Sequence, residues 1–588
     1  MAPSRPLPHS DAFASAEDYV EALLEFARGE DVFRILCGGV HILDFFTAEP
    51  GLFYAALPAE WHAFLLSCDV MRLLDLLMRD DLDRLDFADG QGPPPSFVRY
   101  VRRVRDLSLR RDVEPSRGEG PPPLPRSVAV GMKPKKAHEV VRFADYVERL
   151  ARDVSDGGSI SHLVDLGSGQ NYLGRTLASE PYRRRVVAVE GRERNVAAAR
   201  GLDRLSGLAS KQKVMRNKKL WNRILEMVGP GGEDDPEAVS RAVEQVAGAE
   251  AFDFRPIDQV PLESRPERGG GRVQYVSGRL DSGDLADVMA AMEGEAEQGG
   301  GRRRRAMAVS IHSCGNLSHH GIRSLVLNPD IRAVAIVGCC YNLMTERLGP
   351  PTYKHAHLRP TLQAINGRVV EESAKRDPHG FPMSRRFCGY GGEGVRLNIT
   401  ARMMACQAPA NWTRHDSEAF FTRHFYRAVL QRIFLDRGVV GHVRHDGGGG
   451  GGGNGPLDVS TNPVTIGSLR KHCYGSLRAY VRGAVEKLTT SSDHKQYADV
   501  MRAKMGDVTD AEVDGYEAAY LPRRRELCVI WSLMAFSATV VESLVAVDRW
   551  TYLGEQGDLV KQAWVEAVFD YRQSPRNLVV VGVKRDDA

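Results

Sequence analysis

The stretch HLVDLGSGQNYLGRTL, residues 162 to 177, constrains the fold more than any other part of the chain. Its apolar start reads as a buried strand ending near Asp165. Gly167 and Gly169 then permit a close turn that residues with a Cβ resist, and a helix begins near Tyr172. A second apolar run, RRVVAVEG, ends at Glu190, about 21 residues beyond Gly169. Strand, glycine turn, helix and strand together open an α/β nucleotide-binding unit. The helix N-terminus directs amides at a polar ligand. The carboxylate closing the second strand is placed to accept hydrogen bonds from a ribose diol.

NAD and S-adenosyl-L-methionine sites share that carboxylate, so the turn must separate them. A dinucleotide fingerprint starting at Gly167 needs its third glycine at position 172, which here is Tyr172. Tyrosine there blocks the close helix–strand packing that the third glycine allows. Asp165, at the strand end, suits a methionyl ammonium held directly or through water. S-Adenosyl-L-methionine is therefore the expected cofactor, with Asp165, Gly167, Gly169 and Glu190 contacting it. Arg279 and Leu280, after the apolar run RVQYVSG, are candidates for the adenine side, where Leu280 covers a ring face and Asp281 or Ser282 meets the exocyclic amine. An ordinary strand-to-helix loop is the competing reading of those four residues.

Further strands are expected at AMAVSIHSCG, at IRAVAIVGCCYNL and at NLVVVGVK, the last as a strand at the end of the sheet. The fold class expected is α/β: a Rossmann-like class I methyltransferase sheet with helices on both faces, an N-terminal helical region and several disordered insertions. Residues 1–112 read as a helical accessory domain from apolar spacings of three and four, and 113–130 as a Pro-rich linker. Residues 131–588 read as the methyltransferase domain, interrupted around 208–267, 290–305 and 441–460. The Gly299 to Arg305 tract and the Gly447 to Gly453 run offer no apolar face and are expected to be dispensable loops.

With 79 Lys and Arg against 76 Asp and Glu, the net charge is +3, so any nucleic-acid surface must be a local patch. Candidates are the arginine run from Arg99 to Arg111, Lys133 with Lys135 and Lys136, and KQKVMRNKK, which contains Lys218 and Lys219 and precedes Trp221. Lys135, Lys136, Lys218 and Lys219 are expected to meet an RNA substrate; the alternative for each run is a solvated helical face. No DNA specificity is apparent, and the N-terminal helices are a candidate protein-binding surface. Nine cysteines, two of them adjacent, do not form a disulfide framework. The start lacks the apolar core of a secretory signal, and no run of about 18 apolar residues suggests a membrane span. Cytoplasm or nucleus is the expected location.

Beside the expected pocket lie His312-Ser313-Cys314-Gly315-Asn316 and Cys339-Cys340-Tyr341-Asn342. His312 is a candidate base, and Tyr341 and Asn342 are candidates for positioning a nucleobase or ribose hydroxyl; packing roles are the alternative. Cysteine attack on a pyrimidine is open to Cys314, Cys339 or Cys340. A zinc cluster of His312, Cys314, Cys339 and Cys340 has spacing unlike common structural sites, since no CxxC pair is present. Buried apolar cysteines are the plainer reading, and methyl transfer requires no metal.

Eight segments carry a further signal: MKPKKAHEV (132 to 140), VDLGSGQNYLGRTL (164 to 177), SIHSCGNL (310 to 317), VGCCYNLMTE (337 to 346), FPMS (381 to 384), ACQ (405 to 407), VESLVAVDRWTYL and SPRNLVVVGVK. Together they resemble the methyltransferase-like 25 family, including proteins named as ribosomal RNA adenine dimethylase domain-containing, over most of the chain after about residue 20. The resemblance implies a Rossmann-like methyltransferase domain with an N-terminal helical addition. The name does not fix a substrate. Adenine amine methylation commonly uses Asn or Asp followed by Pro-Pro and an aromatic, and here none of the consecutive prolines, at 93–95, 121–123 and 350–351, follows an Asn or Asp. The His312 and Cys339-Cys340 segments are also similar to a region of transfer-RNA ribose methyltransferases, which favours an RNA hydroxyl. The functional expectation is thus an S-adenosyl-L-methionine-dependent methyltransferase acting on RNA, with a protein methyltransferase or a noncatalytic scaffold as alternatives.

Overall fold

The computed structural model describes residues 2–48, 51–85, 92–113, 120–154, 158–211, 218–229, 235–247, 262–264, 271–292, 305–349, 376–444, 459–461 and 463–586. Seven strands form the central sheet: β1 (His162–Leu166), β2 (Arg185–Glu190), β3 (Arg272–Ser277), β4 (Ala306–Ser313), β5 (Ile331–Gly338), β6 (Val560–Ala567) and β7 (Leu578–Lys584). Their order is β3-β2-β1-β4-β5-β7-β6. The first five pair in parallel, whereas β7 runs antiparallel to both β5 and β6. Every residue of β5 and β7 is buried, as expected of strands covered on both faces. β7 is therefore not the end of the sheet. The edge is β6, whose exposed Lys561 and Gln562 break its apolar run and suit it to an unpaired border.

The helices used below are α1 (Ala16–Gly29), α2 (Val70–Met78), α3 (Pro95–Leu107), α4 (Pro134–Asp153), α5 (Tyr172–Ala178), α6 (Glu193–Ser206), α7 (Leu317–Leu327), α8 (Arg414–Asp436) and α9 (Arg524–Gly554). One sheet face packs on α4 and α5, through Phe143, Val147, Leu173 and Leu177 against Met307, Val309 and Val581. The other face shares a core with α9 and the N-terminal helices, joining Val164, Leu166, Ile336 and Val580 to Leu23, Leu74, Val101 and Leu533. The N-terminal helices and helices within 385–436 pack on the same long helix, α9. Nearly every side chain of α9 from Glu526 to Thr551 is buried, Glu542, Asp548 and Arg549 included, as in a helix packed on all sides. It lies in the one helical stretch among the described residues, Asp510–Gly554, that is long and apolar enough to cross a membrane; 94% of the most apolar window there is buried inside the protein.

The arginine run lies at the border of the core: Arg99, Arg102 and Arg110 are exposed, and Arg103, Arg105 and Arg111 are half-buried. α3 buries Phe97, Tyr100, Val101, Val104 and Leu107. On its flank Arg105 donates to the carbonyls of Leu76, Leu77 and Asp80, satisfying groups left open where α2 ends. Arg102 pairs with Asp83, Arg110 with Asp11 and Arg111 with Glu542.

Two insertions close on short antiparallel ladders. Ala209–Lys211 pairs with Leu262–Ser264, and His442–Arg444 pairs with Val459–Thr461. Within the first, the helices Lys218–Val228 and Pro236–Ala247 pack on each other around Ile224 and Ala242. The Gly447 to Gly453 run, residues 299–304 of the arginine tract, and residues 212–217 lie outside the described residues.

Candidate cofactor and active site

Strand order reverses between β1 and β4, so a crevice opens beyond the carboxyl ends of these strands. Asp165 sits there, 2% exposed. Its burial, and secondarily the Glu190 charge, outweigh the attraction of Lys136 and push its carboxyl up to about 7. Gly167 and Gly169 follow with φ of 71° and 59°, conformations that a Cβ disfavours. Glu190 grips the turn: one oxygen accepts from the Gly169 amide at 2.8 Å, the other from the Arg192 amide at 2.9 Å.

A second layer supports the turn from behind. Asn171 precedes α5 in a left-handed conformation and donates to the Tyr275 hydroxyl at 3.0 Å. Tyr275 donates in turn to Asp203, which pairs with the buried Arg175 at 3.0 Å. Arg175 returns to the Gln170 carbonyl at 3.0 Å, closing the ring of contacts. The Tyr172 hydroxyl reaches the Gly131 carbonyl and the Gln170 amide oxygen, so this side chain ties the turn to the segment before α4.

Glu139, on α4, is a hub that sequence reasoning missed. Its carboxylate is fully buried and accepts from Lys136 at 2.8 Å, from the Ser574 hydroxyl at 2.8 Å and from His312 Nε2 at 2.8 Å. Burial alone would raise this carboxyl, but the hydrogen bond and charge of His312, followed by those of Lys136, hold it down to about 2. β4 carries one extra residue relative to β5 between Ser310 and Ser313, a bulge that falls beside His312 and re-aims its side chain. The sequence signal was an i,i+3 Lys–Glu pair on an apolar helix face, which ordinarily marks a surface.

The remaining candidates separate. Tyr341 is 3% exposed and donates to Glu542 at 2.7 Å, so it faces the core and not the crevice. Asn342 is half-buried and accepts from Cys406 at 3.5 Å. Arg279 is exposed and pairs with Asp281 at 3.3 Å, whereas Leu280 packs partly against the core. Lys136 belongs to the Glu139 cluster, not to an outer surface. Lys135 and Lys219 are exposed; of Lys218 only the backbone is described.

Cys314, after β4, and Cys339 and Cys340, after β5, converge. Their sulfurs are separated by 3.3, 3.3 and 3.6 Å. Hydrogen bonds from Cys339 and Cys340 favour the Cys314 thiolate and bring this thiol down to about 6, while Cys339 and Cys340 move up.

Residues 135–347, which contain Glu139, Asp165, the glycine turn, Glu190, His312 and the three converging cysteines, match the family described as a methyltransferase domain. Probable methyltransferase-like protein 25 of Homo sapiens is 27% identical over 288 residues, 47% of this chain and 37% of that protein. The Mus musculus protein of the same name is 26% identical over 287 residues, with the same coverage. The chain thus aligns with 37% of the length of these curated relatives. No solved structure gives a significant match. The fold is class I methyltransferase-like.

The residues at the crevice fit S-adenosyl-L-methionine. Among the described residues, chain neighbours aside, no protein atom lies within 4 Å of where a Cβ on Gly169 or Gly278 would stand, so the turn and the loop after β3 are open to a close ligand. Ser168 Oγ and Ser313 Oγ are buried without a partner among the described residues, and both flank the end of β1. Each Glu190 oxygen, with one backbone donor, keeps acceptor capacity for a ribose hydroxyl.

The FPMS, ACQ and SPRN segments beyond residue 380 act as braces. The Asp548 carboxylate accepts from the Met383 amide, the Ser384 amide and the Ser384 hydroxyl at 2.7, 2.9 and 2.7 Å, fixing FPMS on α9. Arg576 reaches the carbonyls of Ala405 and Gln407 and pairs with Glu542, joining ACQ, SPRN and α9.

Proposed function

We propose that the chain is an S-adenosyl-L-methionine-dependent methyltransferase whose acceptor is RNA. The observation that carries the reading is the assembly of Asp165, Gly167, Gly169 and Glu190 at the reversal point of a class I sheet. When bound, S-adenosyl-L-methionine supplies an electrophilic methyl group. Glu190 orients the ribose diol, and Asp165 in its ionised form holds the ammonium. The glycine turn gives the backbone close approach.

The acceptor's proton falls to His312. Ionised Glu139 takes the Nε2–H, which leaves Nδ1 as the basic atom and fixes the ring, the arrangement of a base oriented by a buried carboxylate. Lys136 and Ser574 keep Glu139 in place. This geometry suits a hydroxyl acceptor that must lose its proton as the methyl group arrives.

RNA is favoured by local charge. A cleft of about 600 Å³ reaches α4 one turn beyond Glu139; Arg79, Arg111, Arg142 and Arg572 line it together with Asp112, Asp570 and the Glu542 that pairs with Arg111, which leaves a small positive excess. Lys135 is exposed on the same helix. Such groups contact phosphates and make binding salt-sensitive.

The test is incubation of the purified chain with labelled cofactor and fractionated RNA from cells lacking it, followed by nucleoside mass spectrometry. One modified nucleoside, abolished by Glu190→Ala, is the expected result. Label entering protein while RNA stays unlabelled would overturn the RNA assignment and favour a protein acceptor.

A further inference from the structure

We propose that Cys314, Cys339 and Cys340 form a three-thiolate site for a single zinc ion, with its fourth coordination position open. The proposal stands on geometry independent of the cofactor reading. β4 and β5 are adjacent parallel strands, so the loops leaving their carboxyl ends are neighbours although 25 residues separate Cys314 from Cys339. Backbone hydrogen bonds lock the two loops: the Gly315 amide donates to the Cys340 carbonyl at 3.2 Å, and the Cys339 amide to the Ser313 carbonyl at 3.4 Å. The fold thereby supplies the convergence that a CxxC pair supplies in local zinc motifs.

The triangle is the right size for one ion. Zinc–sulfur bonds of about 2.3 Å in tetrahedral geometry place sulfurs ~3.8 Å apart. The observed edges of 3.3, 3.3 and 3.6 Å need to open by only a few tenths of an ångström. A multi-iron cluster spreads its cysteines much further and does not fit. Three soft sulfurs with no carboxylate among them select zinc over magnesium or calcium.

The fourth ligand is not a side chain of the cluster. His312 bonds Glu139 through Nε2, and neither of its ring nitrogens lies within 4.8 Å of all three sulfurs. Cys406 lies outside the triangle, its thiol directed at the Asn342 side chain and the Cys339 carbonyl. Cys314 is exposed, so the open side faces solvent, where water or an exogenous donor completes the shell. Zinc sites that keep such a position are reactive centres, in contrast to closed structural ones. The ion is held by three thiolates, so binding displaces the protons of Cys339 and Cys340 and leaves one negative charge, which Arg192 near Cys314 and Arg549 near Cys339 offset.

The full-length chain, reduced and stripped with a chelator, is equilibrated with zinc chloride, freed of excess metal and assayed by elemental mass spectrometry. The expected result is one zinc per chain in the wild type and in Cys388→Ser, and none in Cys314→Ser or Cys340→Ser. Cobalt chloride should give thiolate-to-metal charge-transfer and tetrahedral ligand-field bands that vanish in the same variants. Circular dichroism checks that each variant folds; because Cys314 is exposed, its serine variant is the decisive one. Zinc retained by a folded Cys314→Ser,Cys340→Ser chain, or no zinc in the reduced wild type, overturns the proposal.

Discussion

His312 Nε2 stands 2.8 Å from Glu139 Oε2, a hydrogen bond that joins the bulged end of β4 to the helix preceding β1. It orients the imidazole and selects the tautomer with Nδ1 unprotonated. Glu139→Gln keeps the volume and removes the charge, so methyl transfer should fall about a hundredfold, in the range of lost general-base catalysis. Cofactor affinity by calorimetry should change little. Equal losses in both measurements would assign Glu139 to the pocket wall instead.

The same residue predicts an acid limb of stability. The folded carboxyl is held down to about 2, below its ordinary 4.5. A depressed carboxyl contributes stability that is present above the unfolded pKa and is lost as pH falls through the folded one. Urea midpoints should therefore drop between pH 4.5 and 2 more steeply in the wild type than in Glu139→Gln. Parallel curves would contradict the assignment.

Asp165 predicts the opposite sign. Its carboxyl is raised to about 7, so the folded state binds a proton that the unfolded state lacks between about pH 4 and 7, and stability falls as pH rises across that window. Cofactor binding through the ammonium requires the ionised form. Affinity for S-adenosyl-L-methionine should thus rise by up to about tenfold from pH 6 to pH 8. Calorimetry on Asp165→Asn should show weaker binding with this pH dependence gone; a persistent slope would place the titrating group elsewhere.

The features legible in the sequence were those encoded contiguously. β1, the glycine turn, α5 and β2 follow one another within about 30 residues, so Asp165, Gly167, Gly169 and Glu190 announce their shared edge through strand ends and spacing. Glu139 gave no such signal, because its partners His312 and Ser574 are 173 and 435 residues away. Tyr341 looked like a crevice residue from its place after β5. Its direction was set by a distant carboxylate on α9. β6 was hidden by exposed polar residues that an edge strand needs, and the packing of the N-terminal helices on α9 gave no signal because the two are far apart in the sequence.

Tyr341 and Glu542 separate packing from chemistry. Tyr341→Phe removes one buried hydrogen bond and should cost about 1–2 kcal/mol by urea denaturation, with methyl transfer in the folded protein unchanged. Glu542→Gln also removes the negative charge between Arg111 and Arg576, which lie 2.5 and 2.8 Å from it. Breaking such a buried pair costs roughly 3–5 kcal/mol. A Tyr341→Phe chain that is stable but inactive would return Tyr341 to the acceptor site.

Gly169→Ala distinguishes a cofactor cradle from a bare turn. Among the described residues, chain neighbours aside, the new methyl group meets no protein atom within 4 Å, so the folding cost comes only from holding alanine at a φ of 59°. That strain is about 1–2 kcal/mol. In a cradle the methyl group occupies the space that the ligand's closest atoms need, and the Gly169 amide must stay aligned on Glu190. The variant should therefore remain folded, with its melting temperature lowered by only a few degrees, while its affinity for S-adenosyl-L-methionine drops by more than about tenfold. Calorimetry and thermal unfolding on the same preparation decide the matter: an affinity loss no larger than the shared strain explains would mean that Gly169 serves the turn alone.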